Sequence, residues 1–190
     1  MEASAQLFGT RSPDDVTIRS VAERAGVSVG SLYQYFEGRD GLLDAMLERV
    51  TRDNFDRFVE RLQAARNQPI DHAVEVMVDE VLETYLGRRL LTRAATAAAV
   101  GFGRVSAVQA ERDRFVRVLA DHLASRLPDV DPEEVFLRTS IAADLVVGAA
   151  LAQAHRPRDE QREQRLREMA CRTMTLEVSR LAKVADGAHS

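Results

Sequence analysis

The stretch that decides the fold runs Thr17-Ile18-Arg19-Ser20-Val21-Ala22-Glu23-Arg24-Ala25-Gly26-Val27-Ser28-Val29-Gly30-Ser31-Leu32-Tyr33-Gln34-Tyr35-Phe36. Ile18, Val21 and Ala22 recur at helical spacing behind Thr17, whose hydroxyl can cap a helix start. Gly26 stops that helix, because glycine tolerates the left-handed backbone that a helix end often requires. Ser28 then caps a second, very short helix that ends near Phe36. A helix, a glycine-containing turn and another helix make a helix-turn-helix. Val21, Val27, Leu32 and Phe36 are expected to meet in one small core, with Ala22 small where the helices cross. Val29, Gly30, Ser31, Tyr33, Gln34 and Tyr35 are left to face outward.

Helical spacing continues on both sides. Ala3, Leu7 and Phe8 form a short apolar stripe on a first helix, and Gly9 to Val16 reads as a loop. Gly38 breaks the chain before a long helix from about Arg39 to Arg66, carrying Leu42, Leu43, Met46, Leu47, Val50, Phe55, Phe58 and Leu62. Pro69 closes it, since proline cannot continue a helix interior. Further helices are expected over residues 70–87, 90–100, 105–127, 132–154 and 158–183. Asp131-Pro132 reads as an N-cap followed by a first-turn proline, and the tail from Ala185 should fray. Alternating strand patterns are missing, aromatics are only 5% and Trp is absent. The expected fold is therefore all-α, with nine helices and no strand: a small N-terminal helix-turn-helix domain over residues 1–50, then a larger helical domain over residues 51–185.

With 45% hydrophobic and 29% charged residues, the composition is that of a globular protein. A single cysteine, Cys171, excludes an internal disulfide and a thiolate-rich zinc site. No basic start precedes an apolar run, so no signal peptide is expected. The apolar stretch Ile141–Ala154 is interrupted by Asp144 and Gln153 and is expected to fall short of a membrane span; a cytoplasmic location follows. None of His72, His122, His155 and His189 has a glutamate three residues before it, as a helical di-iron site would need. Gly101-x-Gly103 lacks a preceding strand and is no phosphate loop. No enzyme, metal or cofactor is expected.

The first fifty residues closely resemble the N-terminal domain of the TetR family of bacterial regulators. The likeness lies in Leu7-Phe8, the run Ile18 to Gly26, Val27-Ser28, Gly30-Ser31-Leu32-Tyr33, Tyr35-Phe36 and Leu42-Leu43. It implies a homodimeric transcriptional regulator, by preference a repressor, that binds double-stranded DNA at a near-palindromic operator and is released by a small-molecule effector. Thr17 and Ser28 would offer helix-start amides to phosphates, and Tyr33, Tyr35 and Arg39 would hold the register. Val29, Gly30, Ser31 and Gln34 would lie closest to base edges, where Gln can pair with adenine and Val can touch a thymine methyl. Ring packing is the alternative role for Tyr33 and Tyr35.

The remaining chain resembles the family only in being helical and of suitable length. Its apolar helix over residues 132–154 should be buried on nearly all sides. The resemblance implies that the last two helices pair with their copies, with Leu145, Gly148, Ala149, Leu166, Met169, Thr173 and Met174 in the dimer interface. Polar tips on apolar helices make Asp79, Tyr85, Thr92, Arg93, Thr96 and Asp144 candidates for the effector pocket. A helix-turn-helix kept as a protein-interaction scaffold is the other reading.

The reading head is not basic. Residues 1–50 carry five arginines against eight carboxylates, a net of −3 out of −4 for the whole chain. Family members usually have a basic arm and another helical turn ahead of this point, so the chain is expected to begin late. Phosphate attraction supplies most non-specific DNA affinity. Adding a basic arm ahead of Met1 should therefore raise DNA affinity and steepen its salt dependence; equal affinity with and without the arm would refute this.

Overall fold

The computed structural model describes residues 2–10, 15–101 and 105–187. Among these residues there is no strand, and nine helices follow one another: α1 (Glu2–Thr10), α2 (Ile18–Ala25), α3 (Val29–Tyr33), α4 (Gly38–Ala64), α5 (Ile70–Leu86), α6 (Arg89–Gly101), α7 (Val105–Ala124), α8 (Pro132–Ala154) and α9 (Glu160–Gly187). The loop expected from Gly9 begins later, since Gly9 and Thr10 complete α1. Residues 11–14, Phe102 and Gly103 lie outside the described residues. α9 runs through Ala185 to Gly187, so helix replaces the expected frayed tail up to that point.

The caps read from sequence are in place. Thr17 Oγ1 accepts from Ser20 N at 3.1 Å, and Ser20 Oγ accepts from Thr17 N at 3.0 Å, a reciprocal box at the start of α2. Gly26 takes φ +68° and passes its N–H to the carbonyls at the end of α2. Asp131 accepts from Glu133 N at 3.1 Å ahead of Pro132.

Two apolar cores form. The smaller joins Leu7, Val16, Ile18 and Val21 to Leu42, Leu43 and Met46 at the start of α4, with Leu32 and Phe36 half-buried against it. Leu91 of α6 also belongs to it. Val27 does not: it is 45% exposed, because the turn after Gly26 leads it away from the α2 face. The larger core draws on α4, α5, α7, α8 and α9, with Phe58, Val74, Val78, Leu119, Leu123 and Met174 almost wholly buried.

α8 runs through the middle of the larger body, packed by α5, α7 and α9. By length and composition it is long and apolar enough to cross a membrane, which the interruptions at Asp144 and Gln153 had argued against. Its surplus apolarity is only partly used inside the chain. Val135, Ala142, Ala143, Val146 and Ala150 are buried, but Leu137, Ile141 and Leu145 are more than half exposed. The expectation of burial on nearly all sides is thus wrong for a single chain, because no helix among the described residues covers that face.

α4 spans about 40 Å at 1.5 Å per residue and serves both cores. Its middle is pinned to α5 by a polar cluster. Glu80, 3% exposed, accepts from Arg57 Nη2 at 2.6 Å and from Arg61 Nη1 at 3.1 Å. Buried Asn54 accepts from Arg57 Nη2 at 3.1 Å and donates to Thr84 Oγ1 at 3.3 Å. The hydrogen bond to Glu80 raises the Arg57 pKa despite partial burial. The two arginines are about one-third exposed and can rehydrate, whereas the carboxylate cannot.

Removing the arginines should therefore cost more than removing the acid. Arg57→Met with Arg61→Met is expected to destabilise by about 3–5 kcal/mol, since it strands a buried charge. Glu80→Gln should cost only about 1–2 kcal/mol. Urea unfolding of both variants checks the order; the reverse order would show that the carboxylate has another source of compensation.

Candidate nucleic-acid interface

α3 is five residues long and buries none of them. Its position is set at its ends. Ser28 Oγ accepts from Ser31 N at 3.0 Å and lies 2.8 Å from Ser31 Oγ, so the two hydroxyls are hydrogen-bonded to each other. Ser31 is half-buried by this arrangement, while Thr17, Ser28, Val29, Gly30, Tyr33, Gln34 and Tyr35 are exposed. Tyr35 is 78% and Tyr33 60% exposed, which removes ring packing within the chain as their role. Phe36, by contrast, is half-buried against the small core.

Gly30 has an ordinary helical backbone, and a Cβ built there would meet only Ser28 Oγ at 3.8 Å. The chain itself has room for a side chain at this position. Keeping it bare leaves the backbone open to whatever approaches α3.

The cations around the head are engaged. Arg19 Nε lies 3.2 Å from Glu23 Oε1 on the outside of α2. Arg24 grips Gln6 Oε1 through Nε and Nη2 at 3.0 and 2.9 Å, tying α2 to α1. Arg39 Nε donates to the Val16 carbonyl at 2.9 Å, which anchors the start of α4 beneath α2. Arg39 is therefore partly a structural residue, a role its sequence position did not reveal.

The effector candidates do not form one group. Thr92 meets Tyr85 where α5 meets α6, Thr96 lies one turn further along α6, and Arg93 turns to α8. Thr92 Oγ1 donates to the Tyr85 carbonyl at 3.0 Å and Thr96 Oγ1 to the Thr92 carbonyl at 2.8 Å. Burial raises the Tyr85 phenol pKa. Arg93 Nε donates to the Ala154 carbonyl at 3.0 Å, and Arg89 Nη1 to the Gln153 carbonyl, so two arginines of α6 hold the C-terminal end of α8. Asp79 lies elsewhere, paired with Arg167 at 2.6 and 3.0 Å. Asp144 is on the outer face of α8, 62% exposed and 2.6 Å from Arg112 Nη2. An open cleft of about 640 Å³ lies between the α5–α6 corner and the start of α9, bordered by Leu86, Arg88, Leu90, Arg158 and Gln164. None of the six candidates borders it.

The dimer candidates divide by helical phase. Leu145, Gly148 and Met169 are exposed, Ala149 and Thr173 half-buried. Leu166 packs on the larger core and Met174 is 1% exposed within it, so Met174 serves its own chain. Leu137 and Ile141 are also exposed on α8, with Leu145, and Leu176 on α9, with Met169; sequence reasoning left out Leu137, Ile141 and Leu176. Their signal was present as i, i+4, i+8 spacing in residues 137, 141 and 145.

Comparison with known proteins places these features in a family. Residues 1–46 match the family described as bacterial regulatory proteins, tetR family. The HTH-type transcriptional regulator BetI of Cronobacter sakazakii is 33% identical over 128 residues, which cover 67% of this chain and 61% of that protein. The chain thus spans somewhat under two-thirds of that relative's length. A TetR-family transcriptional regulator from Mesorhizobium loti shares the fold at a TM-score of 0.74 and 13% identity, covering 94% of this chain and 92% of its own. The TetR family repressor AlkX from Dietzia superposes at 0.58 with 21% identity, covering 97% and 94%. Motif, caps and all-helical architecture agree with these matches: residues 1–46 are those of the tetR family of bacterial regulatory proteins, and the described chain has the fold of its solved members.

Proposed function

We propose that the protein is a DNA-binding transcriptional regulator, a homodimeric repressor that binds a near-palindromic operator and is released by a small-molecule effector. The observation that carries this reading is where large apolar side chains stay exposed. They fall in two places: Val27, Val29, Tyr33 and Tyr35 around α3, and Leu137, Ile141, Leu145, Met169 and Leu176 on α8 and α9. Exposed apolar patches of this kind mark interaction surfaces. The first suits a duplex groove, with Thr17, Ser28 and Arg39 toward phosphates and Val29, Gly30, Ser31 and Gln34 toward bases. The second suits a copy of itself, because a two-fold axis lays the same apolar face against itself.

The two cores support a division of labour near residue 50, with the head before it and the effector-binding and dimerising body after it. Tyr85 and Thr92, joined where α5 meets α6, with Thr96 one turn on, are the candidates that remain near one another for an effector. A ligand seated there that favours one spacing of the two heads shifts the population toward it. A cytoplasmic location goes with this role.

Footprinting of the full chain on DNA flanking its own gene, with and without candidate ligands, tests the proposal. Protection of a palindrome supports it, and salt-insensitive or absent binding refutes it. Gly30→Ala should raise helix stability by about 0.5–1 kcal/mol yet weaken operator binding; a variant that binds as tightly would remove α3 from the interface. Ile141→Glu with Leu145→Glu should give a folded monomer by sedimentation that no longer holds the palindrome, whereas a persisting dimer would place the interface elsewhere.

A further inference from the structure

We infer that the head reads A·T base pairs: Gln34 pairs with an adenine, Val29 lies against a thymine methyl, and no guanine is required beneath α3. This rests on the proposal that the head binds DNA, and it narrows which DNA. Guanine shows the major groove two acceptors, O6 and N7, and is read by paired donors of Arg or Lys. α3 and its flanks, from Val27 to Tyr35, contain no cation. The arginines on neighbouring helices lie off α3: Arg24 is bonded to Gln6, Arg39 Nε to the Val16 carbonyl at the start of α4, and Arg19 stands beside Glu23 on the outside of α2.

What α3 does offer is narrow. The Ser28 and Ser31 hydroxyls are bonded to each other. Gly30 has no side chain. Tyr33 and Tyr35 each end in a single hydroxyl, which lacks the second point needed to tell one purine from another. Gln34 directly follows α3, is exposed, and its amide makes no hydrogen bond within the described residues. An amide supplies one donor and one acceptor, the pair that matches adenine N7 and N6. Val29, 37% exposed and five residues earlier at the start of α3, offers only methyl groups, and among the bases only thymine presents a methyl in the groove. With a net charge of −3 over residues 1–50, little non-specific attraction is available to hide the loss of such contacts.

The test is selection by the full chain from a duplex library randomised over about two helical turns. A·T pairs should be enriched at the two positions of each half-site that respond to Gln34→Ala and Val29→Ser. On the selected duplex, 7-deazaadenine at the Gln34 position removes N7 and should weaken the unaltered protein about 10-fold. The same change should leave Gln34→Ala indifferent. Uracil for thymine at the Val29 position should cost about 4-fold, the worth of one buried methyl, and should not affect Val29→Ser. Because the nucleobase changes leave the protein intact, misfolding cannot imitate these results. Guanine enriched at those positions, or Gln34→Ala remaining sensitive to 7-deazaadenine, overturns the inference while leaving DNA binding standing. Failure to enrich any sequence overturns the DNA-binding proposal, and this inference with it.

Discussion

A five-residue helix with no buried residue cannot hold its own place. It lies far below the length at which an isolated helix is stable in water, and α3 is steadied by its ends and by the half-buried Leu32. The left-handed Gly26 sets the exit from α2, the Ser28–Ser31 pair closes the first turn, and half-buried Leu32 and Phe36 rest on the small core. That core in turn is completed by Leu42, Leu43 and Met46, so the first turns of α4 are as much a part of the head as α2. Any movement of α4 must therefore carry α3 with it.

The body grips the head at two points. Along α4, Glu80 holds Arg57 and Arg61 against α5. Through α6, Leu91 sits in the head's core while Arg89 and Arg93 of the same helix hold carbonyls at the end of α8. Positive side chains suit a helix C-terminus, where the unpaired carbonyls concentrate negative charge. α6 thus touches the head on one side and, through α8, the helix whose outer face is apolar and uncovered on the other. On the proposed reading, a ligand near Tyr85 and Thr92 would sit beside the element that joins those two surfaces.

Local rules made some of this legible and left the rest dark. Thr17, Gly26, Ser28 and Asp131-Pro132 declare helix ends because capping depends on residues within a few positions of one another. The spacing of Leu42, Leu43, Met46, Phe58 and Leu62 gave the buried stripe of α4 for the same reason. Partnership across the fold was harder. Nothing near Asp79 announces Arg167, 88 residues away, nor does Arg39 announce the Val16 carbonyl. An apolar residue does not state which neighbour buries it, so Met174 and Met169 read alike though one is 1% and the other 66% exposed. Helical phase separates them: Ala170, Met174, Val178 and Leu181 line the inner stripe, and Met169 and Leu176 fall outside it.

The acidic head gives the uncovered face on α8 and α9 its importance. Each phosphate contact normally adds affinity whatever the sequence, and a head with eight carboxylates to five arginines gains little from that source. A single head would then bind weakly, by a few direct contacts through α3. Joining two heads makes the second contact intramolecular, at an effective concentration set by their spacing. The weaker each head is alone, the larger the share of operator affinity that comes from this linkage. On the proposed reading, a small change in head spacing would release the DNA, because residues 1–50 supply little charge attraction of their own to hold a misaligned dimer. On that reading low charge would serve the switch: the geometry fixed by α4, α6 and α8 would decide whether two copies of α3 bind.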